Sequence, residues 1–455
     1  MSTQGIRDFR PKIHFTTQKG WINDPNGLVY YGGKYHLFYQ FHPHDTCWGP
    51  MHWGHAVSDD LINWEHLPIA LYPDENGTIF SGSALADTNN ISGFGKDGKI
   101  PLVAFYTCHG DQQVQSIAYS LDGINFTKYE NNPVIPNPGI RDFRDPKMFW
   151  NPVRNCWSMT LAAADRAFFY KTDDLKTWVK TGEFGPEGNH VRGVWECTDM
   201  VPFEHNGRTI WMLIASMGQP SEDPFIGTQY FLGEFDGDTF TCTMPLDHAE
   251  RLDSGYDSYA GVTYNNVDRS IFFGWCTCPK YADKTPTGEY CGTMTLPRQL
   301  SLVDTPTGPK VASFPTNIDG IFSEGRAVES GTPITNETFK LMIKGSGAAK
   351  ISLKNEKGQI LSFGMDAENY LFFDRSQAGA KDFSELYASP MFNASKAKRF
   401  FDESYTMDFI FDVSVAELFV DQGTRNMTMV CYPDTPYNIL CIEGDVEVQV
   451  FGLAI

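Results

Sequence analysis

The sequence has no apolar run of the roughly 18 residues that a membrane-spanning helix requires, so no transmembrane segment is expected. Positive charge is scarce: 36 Lys and Arg stand against 56 Asp and Glu, a net charge of −20. Such a surface has little with which to displace counterions from phosphates, which excludes nucleic acid as a partner. It also gives little attraction to anionic membranes, while suiting solubility and a neutral ligand. Cysteine is sparse for the length, 10 in 455 residues at irregular spacing, so no disulfide framework is expected and most thiols read as reduced and buried. The close pair Cys276-Thr277-Cys278 has no second pair at zinc-ligand spacing, and a metal role is set aside. Met1-Ser2-Thr3-Gln4-Gly5 runs at once into polar and charged residues with no apolar leader core, which points to the cytoplasm. Against that, Asn76, Asn90, Asn125, Asn336, Asn393 and Asn426 each open an Asn-X-Ser/Thr triplet. A secreted protein with its leader removed is therefore the alternative.

What the chain does have is aromatic residues, 14% of the total, within a hydrophobic content of 41%. That excess favours β-architecture, where rings pack well on pleated surfaces. Leu28-Val29-Tyr30-Tyr31, Leu102-Val103-Ala104-Phe105-Tyr106 and Trp211-Met212-Leu213-Ile214-Ala215 are short, β-branched or aromatic, and bounded by turn residues. A weak repeat runs through them. Ser58-Asp59-Asp60-Leu61-Ile62-Asn63-Trp64 is echoed by Ser120-Leu121-Asp122-Gly123-Ile124-Asn125-Phe126, by Thr172-Asp173-Asp174-Leu175-Lys176-Thr177-Trp178 and more loosely by Asp236-Gly237-Asp238-Thr239-Phe240. Unrelated β-turns are the bland reading. The regular return of an acidic turn and an aromatic favours propeller blades, each aromatic wedged against the neighbouring blade. Four echoes plus a divergent stretch around 255–300 predict five blades. Pro306, Gly308, Pro309, Pro315 and Gly320 then cluster, and alternating segments such as Tyr405-Thr406-Met407-Asp408-Phe409-Ile410-Phe411 follow. The expected organisation is all-β: a five-bladed β-propeller over 1–305, a linker over 306–320, and a C-terminal β-sandwich over 321–455.

Three segments carry residues able to do chemistry. Trp21-Ile22-Asn23-Asp24-Pro25-Asn26-Gly27 is a rigid turn that holds Asp24 in one orientation beside a Trp wall. Phe143-Arg144-Asp145-Pro146 sets a cation beside a carboxylate; on a surface the pair is worth little, whereas in a pocket it could clamp vicinal hydroxyls. Val194-Trp195-Glu196-Cys197-Thr198-Asp199 places a Glu in apolar company. If that Glu is buried, desolvation would keep it protonated as a general acid.

Together these segments resemble the motifs of glycoside hydrolase family 32, the invertases, exo-inulinases and levanases. The resemblance spans nearly the whole chain. Leu37-Phe38-Tyr39-Gln40, Trp48-Gly49, His52-Trp53-Gly54-His55-Ala56, Phe80-Ser81-Gly82-Ser83 and Met294-Thr295-Leu296-Pro297-Arg298 follow in the family's order. Phe373-Asp374-Arg375-Ser376 and Glu417-Leu418-Phe419-Val420-Asp421 resemble its C-terminal sandwich. The resemblance implies a retaining β-fructofuranosidase with Asp24 as nucleophile, Asp145 as transition-state stabiliser and Glu196 as acid/base. It also implies that Trp21, Asn23, Gln40, Trp48, Phe80, Ser81 and Arg144 line the pocket for a terminal fructose. No cofactor is implied, and His52 and His55 read as packing residues rather than metal ligands. Endo-acting relatives usually carry Glu at the nucleophile segment, so Asp24 implies exo-action on sucrose, fructo-oligosaccharides or fructans. Two departures stand out. Thr198 replaces a Pro after the acid, which implies a looser turn there, and Pro279 stands near the place of a second Trp, which leaves the leaving-group rim undetermined. A fructosyltransferase of the same family and a catalytically silent fructan-binding propeller are the competing readings. A homo-oligomer is left open.

Overall fold

The computed structural model describes residues 7–186, 193–218, 226–318 and 320–454. Among them, no helix is long and apolar enough to cross a membrane. The chain parts into two compact units: Gly20–Arg251 with Tyr259–Trp275, and Met1–Lys19 with Leu252–Ser258 and Cys276–Ile455.

The first unit is built from blades. Blade 1 holds β1 (Gly20–Tyr31), β2 (Lys34–His42), β3 (His52–Ser58) and β4 (Trp64–Leu71). Blade 2 holds β5 (Thr78–Ala86), β6 (Leu102–His109), β7 (Gln113–Ser120) and β8 (Thr127–Lys128). Blade 3 holds β9 (Phe143–Asn151), β10 (Cys156–Ala163), β11 (Arg166–Thr172) and β12 (Val179–Phe184). Blade 4 holds β13 (Trp195–His205), β14 (Arg208–Met217), β15 (Gly227–Phe235) and β16 (Phe240–Cys242), and Tyr259–Thr263 with Ile271–Trp275 open the fifth blade. The first strand of each blade touches the first strand of the next, from β1 through β5, β9 and β13 to Tyr259–Thr263, which closes back on β1. Five strands thus ring one axis. Strands such as β3, covered on both faces, are buried along their whole length, whereas the outer β12 is largely open, which is why only the outer strands read as polar.

The repeated acidic turn joins the third and fourth strands of blades 1 to 4. Asp60 accepts the N–H groups of Ile62 (2.9 Å) and Asn63 (2.7 Å) and the hydroxyl of Ser58 (3.0 Å). Asp122 and Asp174 repeat the pattern with Ile124 and Asn125, and with Lys176 and Thr177. Asp236 receives Asp238 and Thr239. The residue after each Asp has positive φ: 68° at Leu61, 76° at Gly123, 60° at Leu175 and 96° at Gly237. Leucine in that region costs roughly 1–2 kcal/mol, which the full burial of Leu61 and Leu175 offsets. The aromatic that follows meets the preceding blade edge-on: Trp64 against Phe273 (6.0 Å), Phe126 against Phe38 (5.5 Å), Trp178 against Phe105 (5.8 Å) and Phe240 against Phe184 (5.1 Å). Trp64 on Phe273 closes the ring, because Phe273 belongs to the fifth blade.

The second unit contains a sandwich of two six-stranded sheets, whose inner strands include Thr338–Gly345 and Tyr405–Asp412 in one and Ile360–Met365 in the other. Phe363 stacks on Phe409 at 4.1 Å in the core between them. The segment 306–320, expected as a linker, is largely strand. Gly308–Pro315 pairs with Arg298–Thr305 without a break, from Arg298↔Pro315 to Thr305↔Gly308. Its prolines are tolerated because the strand lies at a sheet edge, where missing N–H donors cost little.

Candidate active site

Each of the five inner strands breaks register with its neighbour in the same way: two residues stand opposite one. The pairs are Asn23-Asp24 opposite Gln40, Phe80-Ser81 opposite Thr107, Asp145-Pro146 opposite Leu161, Cys197-Thr198 opposite Ala215, and Ala260-Gly261 opposite Gly274. A bulge bends a strand and re-aims the side chains within it. Repeated once per blade, it turns five short segments toward one another. Asp145, Cys197 and Ala260 take φ of 66°, 47° and 54° to do so, and strain of this kind concentrates at functional sites.

Three carboxylates meet there. Asp24 accepts Ser81 Oγ at 2.5 Å and Asn23 Nδ2 at 3.1 Å. Cys197 links it to Asp145: its thiol lies 3.5 Å from Asp24 Oδ2 and 3.7 Å from Asp145 Oδ2, and its backbone N–H donates to Asp145 Oδ2 at 2.9 Å. Glu196 Oε1 accepts Arg144 Nη2 at 2.8 Å and Nε at 3.2 Å, while Tyr259 donates its hydroxyl to Oε2. Arg144 also binds Asp142 at 2.7 Å. A side chain on Gly218 would collide with the Tyr259 hydroxyl and come within 2.9 Å of Glu196 Oε2, so only glycine leaves that bond intact.

Burial, joined by the charge of Glu196, raises the Asp24 carboxyl above its ordinary range despite the bonds from Ser81 and Asn23. Asp145 is pushed up to about 7, chiefly by burial and then by Asp24 and Glu196, against the pull of Arg144. Burial likewise raises the Tyr259 phenol, which therefore stays protonated and donates. The cluster is short of positive charge and holds protons that isolated carboxyls would release. Paired carboxyls of this kind can supply a nucleophile and a proton donor to one bond. Among the described residues, no group of three or more His, Cys, Asp or Glu has metal-holding geometry.

Residues 14–315 match the Glycosyl hydrolases family 32 N-terminal domain and residues 317–450 the Glycosyl hydrolases family 32 C terminal. The chain belongs to glycosyl hydrolase family 32. It is 40% identical to a levanase of Bacillus subtilis over 94% of this chain and 67% of that protein. It is 36% identical to an extracellular exo-inulinase of Aspergillus awamori over 98% and 95%. The crystal structure of exo-inulinase from Aspergillus awamori superimposes with a TM-score of 0.90 at 32% identity, covering 98% of this chain and 99% of that one. A β-fructofuranosidase from Schwanniomyces occidentalis, complexed with fructosyl-erythritol, gives 0.87 at 28%, covering 98% of both chains.

Within this family 32 site, the expected residues fall into two sets. Asn23, Asp24, Phe80, Ser81 and Asp145 sit inside the bulges, and Arg144 and Glu196 directly beside them. Trp21 donates Nε1 to Asn23 Oδ1 at 2.7 Å and meets Trp275 edge-on at 5.5 Å. Gln40 is buried behind the first bulge with its amide on Asn26 (2.9 Å). Trp48 is 56% exposed and touches Phe80 edge-on at 6.0 Å.

Two expectations need correction. Glu196 is not in apolar company: its side chain is 27% exposed and faces a guanidinium and a phenol, while Trp195 turns into the core to stack on Phe231. Arg144 gives Nε and Nη2 to Glu196 and Nη1 to Asp142 and Gln113, so groups other than its chain neighbour Asp145 orient it. The turn after the acid is not loose, since Thr198 is buried and accepts Thr160 Oγ1 at 3.1 Å. His55 packs as expected, stacked on Phe38 at 4.0 Å and bonded to His36 at 2.9 Å. Sequence reasoning missed Tyr259 and Gly218 altogether, and it gave Cys197 no role.

Proposed function

We propose that the chain is a retaining, exo-acting β-fructofuranosidase, releasing terminal non-reducing β-D-fructofuranosyl residues from sucrose, fructo-oligosaccharides or fructans. The observation that carries this reading is the convergence of Asp24, Asp145 and Glu196 around Cys197, in a family whose similar members are named levanase and exo-inulinase. Asp24 attacks the anomeric carbon as the bond to the leaving oxygen breaks, and Glu196 gives that oxygen its proton. A fructosyl ester on Asp24 results. Glu196, now a carboxylate, takes a proton from water, which attacks the same carbon and frees Asp24, so two inversions retain the configuration. Asp145 bonds ring hydroxyls more strongly as charge develops. Arg144 and Tyr259 hold Glu196 in place, and Ser81 and Asn23 hold Asp24. Buried free thiols such as Cys108, Cys276, Cys278 and Cys431 support a reducing compartment, the cytoplasm. Asn426, only 2% exposed, argues against glycan attachment at that triplet in the folded protein.

Chromatography of early products tests the assignment. Fructose alone is expected from sucrose (with glucose), inulin and levan; a ladder of oligosaccharides from inulin or levan would overturn exo-action. Transfer products outweighing free fructose at dilute substrate would favour the transferase.

A further inference from the structure

Outward from the site, the top of blade 1 carries a row of rings that the reaction itself does not use. Trp21 pairs with His42 across β1 and β2. The His42 ring lies 6.2 Å from that of His44, His44 lies 6.3 Å from His52, and His52 meets Tyr72 edge-on at 5.5 Å. His52 opens β3 and Tyr72 follows the end of β4, so the row crosses the blade from its innermost to its outermost strand. Four strands at about 4.8 Å spacing give a path of roughly 14 Å, farther than one hexose ring reaches. Trp21 and His52 are buried and His42 half-buried, while His44 and Tyr72, the latter at 55%, are exposed. A lone exposed tyrosine needs no explanation, but here it ends a row of ring contacts that begins at His42, the backbone partner of Trp21 on the nucleophile's own strand.

We propose that this row is a binding shelf for the chain of a β-fructan on the leaving-group side of the scissile bond. The proposal rests on the fructosidase reading above and names the class of substrate the site is built to hold. Sugar rings present C–H faces that pack on aromatic rings. His42 donates Nδ1–H to Cys47 O at 2.9 Å, and His52 donates Nδ1–H to Pro50 O at 3.0 Å. With Nδ1 committed to a carbonyl, the other ring nitrogen of His42 is the one left to meet a hydroxyl. A neutral polymer also meets no repulsion from a chain of net charge −20. Sucrose, whose leaving group is a single glucose, covers only the inner end.

The test combines sucrose and inulin kinetics with affinity electrophoresis of the full chain in inulin-containing gels, a readout independent of turnover. Tyr72→Ala is expected to raise KM for inulin by about 3–10-fold, the worth of one ring contact. It should weaken retardation in the gel and leave kcat/KM for sucrose within about 2-fold, because the exposed side chain carries little of the fold. Tyr72→Phe should restore the wild-type values, and His44→Ala should show a smaller loss confined to inulin. Unchanged inulin KM in Tyr72→Ala, equal losses on both substrates, or a wild-type chain not retarded by inulin would each overturn the shelf. A chain that binds inulin through Tyr72 but releases no fructose would instead sink the hydrolase reading and leave the shelf standing.

Discussion

Two buried groups of carboxylates, one in each unit, were folded from the same residue types with opposite results. In the second unit Asp253 meets Arg298 at 2.9 Å, Arg298 meets Glu417 at 2.9 Å, and Arg375 meets Asp257. Asp412 receives the N–H groups of Lys12, Ile13 and His14, His14 Nδ1 at 2.8 Å and Thr338 Oγ1 at 2.7 Å. Burial pushes Asp412 upward, yet the His14 imidazole and those donors outweigh it, and its carboxyl lies below the ordinary range. In the propeller the balance reverses. Arg144 is shared by Glu196 and Asp142; Asp24 has neutral donors and the charge of Glu196 beside it, and at Asp145 burial with the charges of Asp24 and Glu196 outweighs the pull of Arg144. A carboxylate matched with donors holds a fold together. One kept short of them holds a proton and the means to react, at a cost to stability.

Replacing Asp by Asn in both groups tests that contrast, since the shape is kept and the charge removed. The largest effect is expected at Asp24→Asn: turnover should fall on the order of 10⁴-fold or more, with Tm unchanged or higher. An amide cannot form the glycosyl ester. Near-normal turnover in the purified variant would remove Asp24 from its role. Asp253→Asn should do the reverse. The amide still accepts the N–H groups of Gly255 and Thr428, but Arg298 loses one of its two charged partners and keeps only Glu417. Breaking such a buried pair costs about 3–5 kcal/mol, read as a drop in Tm of about 2–4 °C per kcal/mol, while kcat of the folded fraction should stay at the wild-type value. A lowered kcat there would erase the division between the two groups.

What was legible in the sequence follows the same physical line. The acidic turns were readable because they repeat in identity: an Asp that caps its own turn needs a hydroxyl before it, a left-handed residue after it and an aromatic beyond. The five bulges were not, because a bulge is a backbone register and Asn23-Asp24, Phe80-Ser81 and Ala260-Gly261 share no pattern that marks one. Asp24, Asp145 and Glu196 were named through motif resemblance, but the company of Glu196 was misjudged by taking chain neighbours for spatial ones. In a strand, successive side chains face opposite ways, so Trp195 entered the core and Glu196 turned toward Tyr259 of the fifth blade. No local signal ties Tyr259 or Gly218 to Glu196; only closure of the ring does. The linker expectation failed because Pro309 and Pro315 were read as breakers, although an edge strand accepts them.

The smallest effect, and the one that examines the contrast most closely, is the pH dependence of stability at Asp145. Its folded value of about 7 lies above the ordinary 3.8, so the folded chain binds this proton more tightly than the unfolded one. Below pH 3.8 the group is protonated in both states and contributes nothing. As pH rises from there toward 7 the unfolded chain releases the proton first, and the folded state loses stability relative to it. Above about 7 the penalty is constant, at most about 4 kcal/mol for a shift of this size. Asn carries no such penalty and still accepts the Cys197 N–H. Asp145→Asn should therefore raise Tm by several degrees at pH 8, at about 2–4 °C per kcal/mol, and the gain should shrink steadily to nothing near pH 4. Activity should be lost at every pH. Thermal scans of the two proteins across that range decide it: a Tm difference that is flat with pH, or that grows as pH falls, would mean that Asp145 is matched with donors in the way Asp412 is.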